Sequence, residues 1–217
     1  MPADRHPEAP RLLRDLAARA VAGPLRDGDS FDEVELAGVA CVGRVDGVEC
    51  SGVVLRDPDL SGAELRDCAF RDAVFDNPNL ATTTVRGGSL TRVVVEGGRL
   101  TGLQLAEAEL RDCLWRGCGA DMATIRHAKL AHVTFESCSL READFAGMRG
   151  EHVRFVDCDL RGAAFHHAEL AHSEMRRCRL DDLEGIQGLR GVAMELDELV
   201  GLAPVMAHAL GIGLLDG

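Results

Sequence analysis

The stretch that decides the fold reads SGAELRDCAFRDAVF, from Ser61 to Phe75. It divides into three blocks of five, ending on Leu65, Phe70 and Phe75. Ala63, Cys68 and Ala73 lie two residues before those ends. Neither a 3.6-residue helix nor a 2-residue strand puts every fifth residue on one face. A chain that turns a corner every five residues does. In such a solenoid the large and the small side chain both point inward, and the other three point out.

The pattern runs far beyond this stretch. Every fifth residue from Leu55 to Leu180 is large and apolar except Ala120 and Gly150, 24 of 26 positions. The residue two places earlier is small in 18 of the 26. Register is never lost, so no insertion interrupts the coil between residues 55 and 182. Composition agrees: apolar residues make up 46% but aromatics only 4%, so many medium-sized side chains must fill the core.

These blocks resemble the pentapeptide-repeat family, whose loose consensus is Ala-(Asp/Asn)-Leu-x-x. The resemblance is clean over residues 50–182 and weaker from Phe31. It implies an all-β solenoid: a right-handed quadrilateral β-helix with 20 residues per coil. Residues 20 apart then stack at roughly 4.8 Å, which makes a rod of about 30 Å. Cys118, Cys138, Cys158 and Cys178 fall in one such column and read as buried small hydrophobes. Met148 reads as filling the hole left by Gly150.

Four segments are expected. Residues 1–10 are polar and proline-containing and read as disordered. Residues 11–30 hold an N-terminal helix and linker, with Leu12, Leu13, Leu16, Ala17, Ala20 and Val21 as its apolar stripe. The coil occupies 31–182. Residues 183–217 form a helical cap, with a helix from about Leu196 and a second piece starting at Pro204. Outward-facing Val54, Val74, Val94 and Leu114 form an apolar stripe that the N-terminal helix could cover or a partner could use. At the other end Leu196, Leu199, Val200, Leu202, Val205, Met206, Leu210, Ile212, Leu214 and Leu215 exceed what one capping face needs. They point to a homodimer through the C-terminal helices.

The net charge of −12 disfavours direct nucleic-acid binding. No signal peptide or membrane span is read, and eight cysteines without a zinc pattern suit a reducing cytoplasm. His132, His152 and His172 form an outward ladder, with His127 and His167 one corner earlier. They read as a solvated surface, with no metal or cofactor. No nucleophile elbow, P-loop or dinucleotide fingerprint is present, so an enzyme is not expected.

Within the family the chain resembles the quinolone-resistance type. That resemblance implies a protein that mimics DNA and binds DNA gyrase or topoisomerase IV. It would shield the enzyme from fluoroquinolones or a gyrase-directed toxin. The acids expected on the binding side are Asp59, Asp121, Asp159, Asp181 and Asp182. Against this, residues 51–182 carry 21 acids and 17 bases, so the coil itself is only mildly acidic. The alternative is a scaffold that binds a protein through its apolar stripe or C-terminal helices.

Overall fold

The structure, a computed structural model, describes residues 6–12, 16–20 and 24–213, with backbone alone for 17–20. From Ala17 to Met194 the chain winds as a parallel β-solenoid, the quadrilateral β-helix expected from the five-residue pattern. Five long strands, Glu49–Arg56, Ala69–Asp76, Ser89–Glu96, Glu109–Arg116 and Lys129–Glu136, each run along one side and around a corner. They pair in a register of twenty: Leu55 with Phe75, Phe75 with Val95, Trp115 with Phe135.

The inward series from Leu36 to Leu183 is mostly buried, with Leu80, Leu90 and Cys178 partly so. Rings stack along the axis, Phe135 on Phe155 at 5.0 Å and Phe145 on Phe165 at 4.8 Å. The two columns meet edge to face, as at Phe145 and Phe155. The space beside Gly150 is filled by Leu170 and Val153, whose methyls lie where a Cβ would stand. All eight cysteines are free. In the column from Cys118 to Cys178, each Sγ lies within hydrogen-bonding reach of a carbonyl of the preceding coil.

The outward corner residue of most blocks has a left-handed backbone, with φ near +50° at Asp57, Asp72, Asn77 and Asp157. Gly, Asn, Asp and His tolerate that conformation best. His127, His132, His152, His167 and His172 all occupy it. Local backbone geometry therefore accounts for the histidine ladder.

The N-terminal end differs from the expectation. Instead of a helix over 11–22, Ala17–Ala20 is a strand paired in parallel with Val34–Ala37. The open edge of the first coil offers unpaired donors and acceptors, and a strand satisfies them where a helix cannot. The coil therefore begins before Phe31. Leu36 pairs with Leu55, nineteen residues on, whereas Val45 pairs with Leu65, twenty on. One block between Cys41 and Val45 is thus a residue short. Residues 6–10, expected to be disordered, are tied to the coil at both ends: His6 Nδ1 contacts Arg154 Nη1 at 2.8 Å, and the N–H of the next residue, Arg11, donates to Asp72 Oδ1 at 2.9 Å. Residues 1–5 are outside the described residues, as are Leu13 and Val21 of the expected helical stripe.

At the other end a 3-10 turn, Ile186–Leu189, and a short strand, Ala193–Met194, lead into one helix, Leu196–Ala209. Pro204 lies inside that helix and does not divide it. Gly211, at φ +71°, follows the helix end. Glu198 caps twice. It accepts from its own helix at Glu195 N–H (2.8 Å) and from the last coil at Cys178 N–H (3.2 Å).

Candidate partner-binding surfaces

Asp59 and Asp159 belong to one backbone row five coils long, and Asp121 meets Ser139 of that row. Most of the expected acids are already engaged. Asp59 accepts from Ser61 Oγ at 2.7 Å and from Asn79 Nδ2 at 2.9 Å, and the Ser61 contacts hold its carboxyl below the ordinary range. Burial works to raise Asp121, but hydrogen bonds from Arg141 and Ser139 prevail and lower it. Asp159 is gripped by Arg161 through two bonds, at 2.8 and 2.7 Å, and is lowered by them. Asp181 and Asp182 are exposed, and no ion pair involves either among the described residues.

A general rule lies behind this. A twenty-residue coil sets residue i beside residue i+20, and the chain uses that adjacency to alternate charge. Arg56 meets Asp76, Arg92 meets Asp72, and Lys129 meets Glu109. Arg116 bridges Glu96 and Glu136, and Arg177 meets Asp157. Exposed pairs of this kind contribute about 0–1 kcal/mol each. Their larger effect is on the field. Residues 68–180 hold fifteen acids and fifteen bases. The acidic excess sits at the two ends: eleven acids against four bases over 26–67, and six against one over 181–198. Opposite charges twenty apart are visible in the sequence, and reading them that way would have located this neutral middle.

The C-terminal helix carries the apolar surface. Leu196, Leu199, Val200, Met206, Leu210 and Ile212 are exposed. Val205 instead packs partly on the core, and Leu202 is the buried anchor; Leu214 and Leu215 lie outside the described residues. Between helix and coil runs a groove of about 650 Å³, lined by Ile186, Val192, Met194, Leu199 and Met206 among others.

The outward histidines do not converge. His132 stacks on His152 at 4.8 Å and 10°, and His152 on His172 at 5.3 Å and 22°. Nearly parallel rings aim their nitrogens side by side, not at one point. Among the described residues no group of three or more His, Cys, Asp or Glu could hold a metal ion. Among the described residues no helix is long and apolar enough to cross a membrane.

A parallel solenoid turning every five residues defines a class of repeat protein. Family models for a pentapeptide repeat region match residues 88–163, and for pentapeptide repeats residues 49–87 and 151–182. The chain belongs to the pentapeptide repeat family. Among solved structures it is similar to HetL, a pentapeptide repeat protein involved in heterocyst differentiation regulation in the cyanobacterium Nostoc sp. strain PCC 7120. Identity there is 15% over 77% of this chain and 90% of that one, with a TM-score of 0.45. Full-length QnrB1, a plasmid-mediated fluoroquinolone resistance protein, is 15% identical over 90% of this chain and 100% of that one, at a TM-score of 0.30. Rfr23 from the cyanobacterium Cyanothece 51142 is 13% identical over 79% and 87%, at 0.19. None of these similarities carries a function to this chain. Among curated proteins no sequence matches it significantly.

Proposed function

We propose that the chain is a non-catalytic protein-binding rod that pairs through its C-terminal helix. Its acidic C-terminal end engages the basic DNA-binding surface of DNA gyrase or topoisomerase IV and shields that enzyme from fluoroquinolones or a gyrase-directed toxin. The observation that carries this reading is the imbalance of six acids against one base over residues 181–198, with Asp181 and Asp182 in no ion pair among the described residues. Joining two rods at that end doubles the local charge, and a basic cleft shaped for DNA is complementary to it. The acids of the middle coils contribute little, because basic neighbours neutralise them.

The test is a gyrase supercoiling and cleavage assay with the purified protein titrated in, with and without a fluoroquinolone. Inhibition of supercoiling or relief of drug-induced cleavage at stoichiometric amounts supports the reading. No effect at large excess on gyrase or topoisomerase IV removes it. A second reading, a scaffold for another protein, has its own observation: fifteen acids balanced by fifteen bases along the middle of the rod leave no net field to attract a basic partner there.

A further inference from the structure

One line of outward-facing side chains is covered when the fold alone would leave it open. Arg92 and Asp72 are only 16% and 11% exposed, and Arg154 only 13%. Comparable outward bases one side away, Lys129 and Arg149, are 65% and 72% exposed. Thr134 points out of the coil yet is 7% exposed, and its hydroxyl and the His132 Nδ1 are both shut off from solvent. The covered residues belong to two adjacent rows. One runs through Asp72, Arg92, Asp112, His132 and His152, and the other through Val74, Val94, Leu114, Thr134 and Arg154.

The cover is the N-terminal segment. His6 contacts Arg154 Nη1 through Nδ1 at 2.8 Å, and Arg11 N–H reaches Asp72, four coils away. Between these anchors the segment reads His-Pro-Glu-Ala-Pro-Arg. Pro7 and Pro10 are half-buried while Glu8 and Ala9 are exposed. A polyproline II helix has three residues per turn, so two prolines three apart face the same way. Its rise of about 3.1 Å per residue sets them roughly 9 Å apart. Two coils of the rod, at about 4.8 Å each, span nearly the same distance. The ligand and the lattice beneath it share a period.

The chemistry of the floor favours the same ligand. The coil spends its backbone groups on neighbouring coils, so this surface offers side chains and few backbone acceptors. A proline has no N–H to leave unsatisfied there. Apolar Val74, Val94 and Leu114 and the edge of the stacked His132 and His152 rings suit pyrrolidine faces. One acceptor is supplied, the Asp72 carboxylate held in place by Arg92, and it takes the N–H of the residue that follows the second proline.

We propose that this groove is a docking site for an extended Pro-x-x-Pro segment of a partner protein, occupied in the free chain by its own Pro7–Pro10. The tethered segment competes at an effective concentration on the order of 1 mM. A partner therefore gains access when its segment binds more strongly than the chain's own. This surface is separate from the C-terminal end, and the proposal does not depend on the target named above.

The experiment uses the full-length chain and a fluorescein-labelled heptapeptide, His-Pro-Glu-Ala-Pro-Arg-Leu, followed by fluorescence polarisation. The Pro7→Gly/Pro10→Gly variant, checked for an unchanged circular dichroism spectrum, loosens the resident segment. It is expected to bind the peptide at least about tenfold more tightly than the unaltered chain. Adding Asp72→Ala to that variant is expected to abolish the gain. Equal binding by both chains overturns the proposal, as does no binding by the variant up to about 1 mM peptide. Binding that survives Asp72→Ala also overturns it, because the peptide would then sit elsewhere.

Discussion

Arg92 grips Asp72 from the neighbouring coil through two hydrogen bonds of 2.6 Å, Nε to Oδ1 and Nη2 to Oδ2. Both side chains are largely covered, which sets this pair apart from the exposed ladders around it. The Arg92 hydrogen bonds hold the Asp72 carboxyl below its ordinary range, against the opposing effect of burial.

A carboxyl whose pKa is lowered on folding stabilises the fold above its unfolded value, about 4, and the contribution is lost as pH falls through the folded value. Asp72→Asn keeps the shape and removes the charge. It is expected to cost roughly 2 kcal/mol at pH 7, because Arg92 is left covered without its counter-ion. Urea unfolding at pH 7 and again near pH 2.5 checks this: the gap between the two proteins should shrink in acid, about where carboxylates protonate. A gap unchanged with pH would assign the loss to packing.

The exposed side of the C-terminal helix predicts an oligomer that can be broken without unfolding. Leu199→Asp with Val200→Asp should give monomers by light scattering. Chemical stability of the monomer should stay within about 0.5 kcal/mol, as for surface changes generally. Loss of the fold would mean those residues belong to the core, and a persisting dimer would mean the interface lies elsewhere.

Among the acids, position along the rod should decide effect. Asp181→Lys with Asp182→Lys is expected to weaken gyrase inhibition by about tenfold or more, since two charges reverse in an unpaired cluster. Asp121→Asn, which removes a charge already held by Arg141, should change it little. Equal effects at the two places would contradict the neutral-middle picture. Raising salt should weaken the wild-type effect, because exposed charges are screened.

The cysteines should be inert in the native state. Burial pushes Cys50 and Cys113 up to about 12, and the thiolate is the form that reacts. At pH 8, mass spectrometry after brief alkylation should find Cys178, the one half-buried thiol, modified first. All eight should react in denaturant. Rapid native labelling of Cys118, Cys138 or Cys158 would show that the coil opens far more readily than its packing implies.

How much of this was legible in the sequence differs from end to end. The series from Leu55 to Leu180 was plain because each coil repeats the same demand: one large and one small inward residue. The start was obscured by a single missing residue between Cys41 and Val45, which shifts the phase of Phe31, Leu36 and Cys41. Ala17–Ala20 carries a helical spacing but became a strand, because the open edge of the first coil outweighs local preference. That the coil is only mildly acidic follows from counting its charges, but which base holds which acid, as Arg141 holds Asp121, depends on adjacency across coils. The C-terminal helix was visible from its apolar excess. Which residue anchors it, Leu202, depends on how the helix is rotated against the coil, and periodicity alone does not set that rotation.

The double cap made by Glu198 has a consequence for assembly. A parallel coil ends in a sticky edge, and one sticky edge can recruit another without limit. By taking the Cys178 amide, Glu198 blunts that edge and leaves apolar helix side chains as the means of contact. Contact through a helix face can close on itself as a twofold pair, whereas contact through strand edges propagates. One carboxylate thus helps decide between a countable particle and a filament.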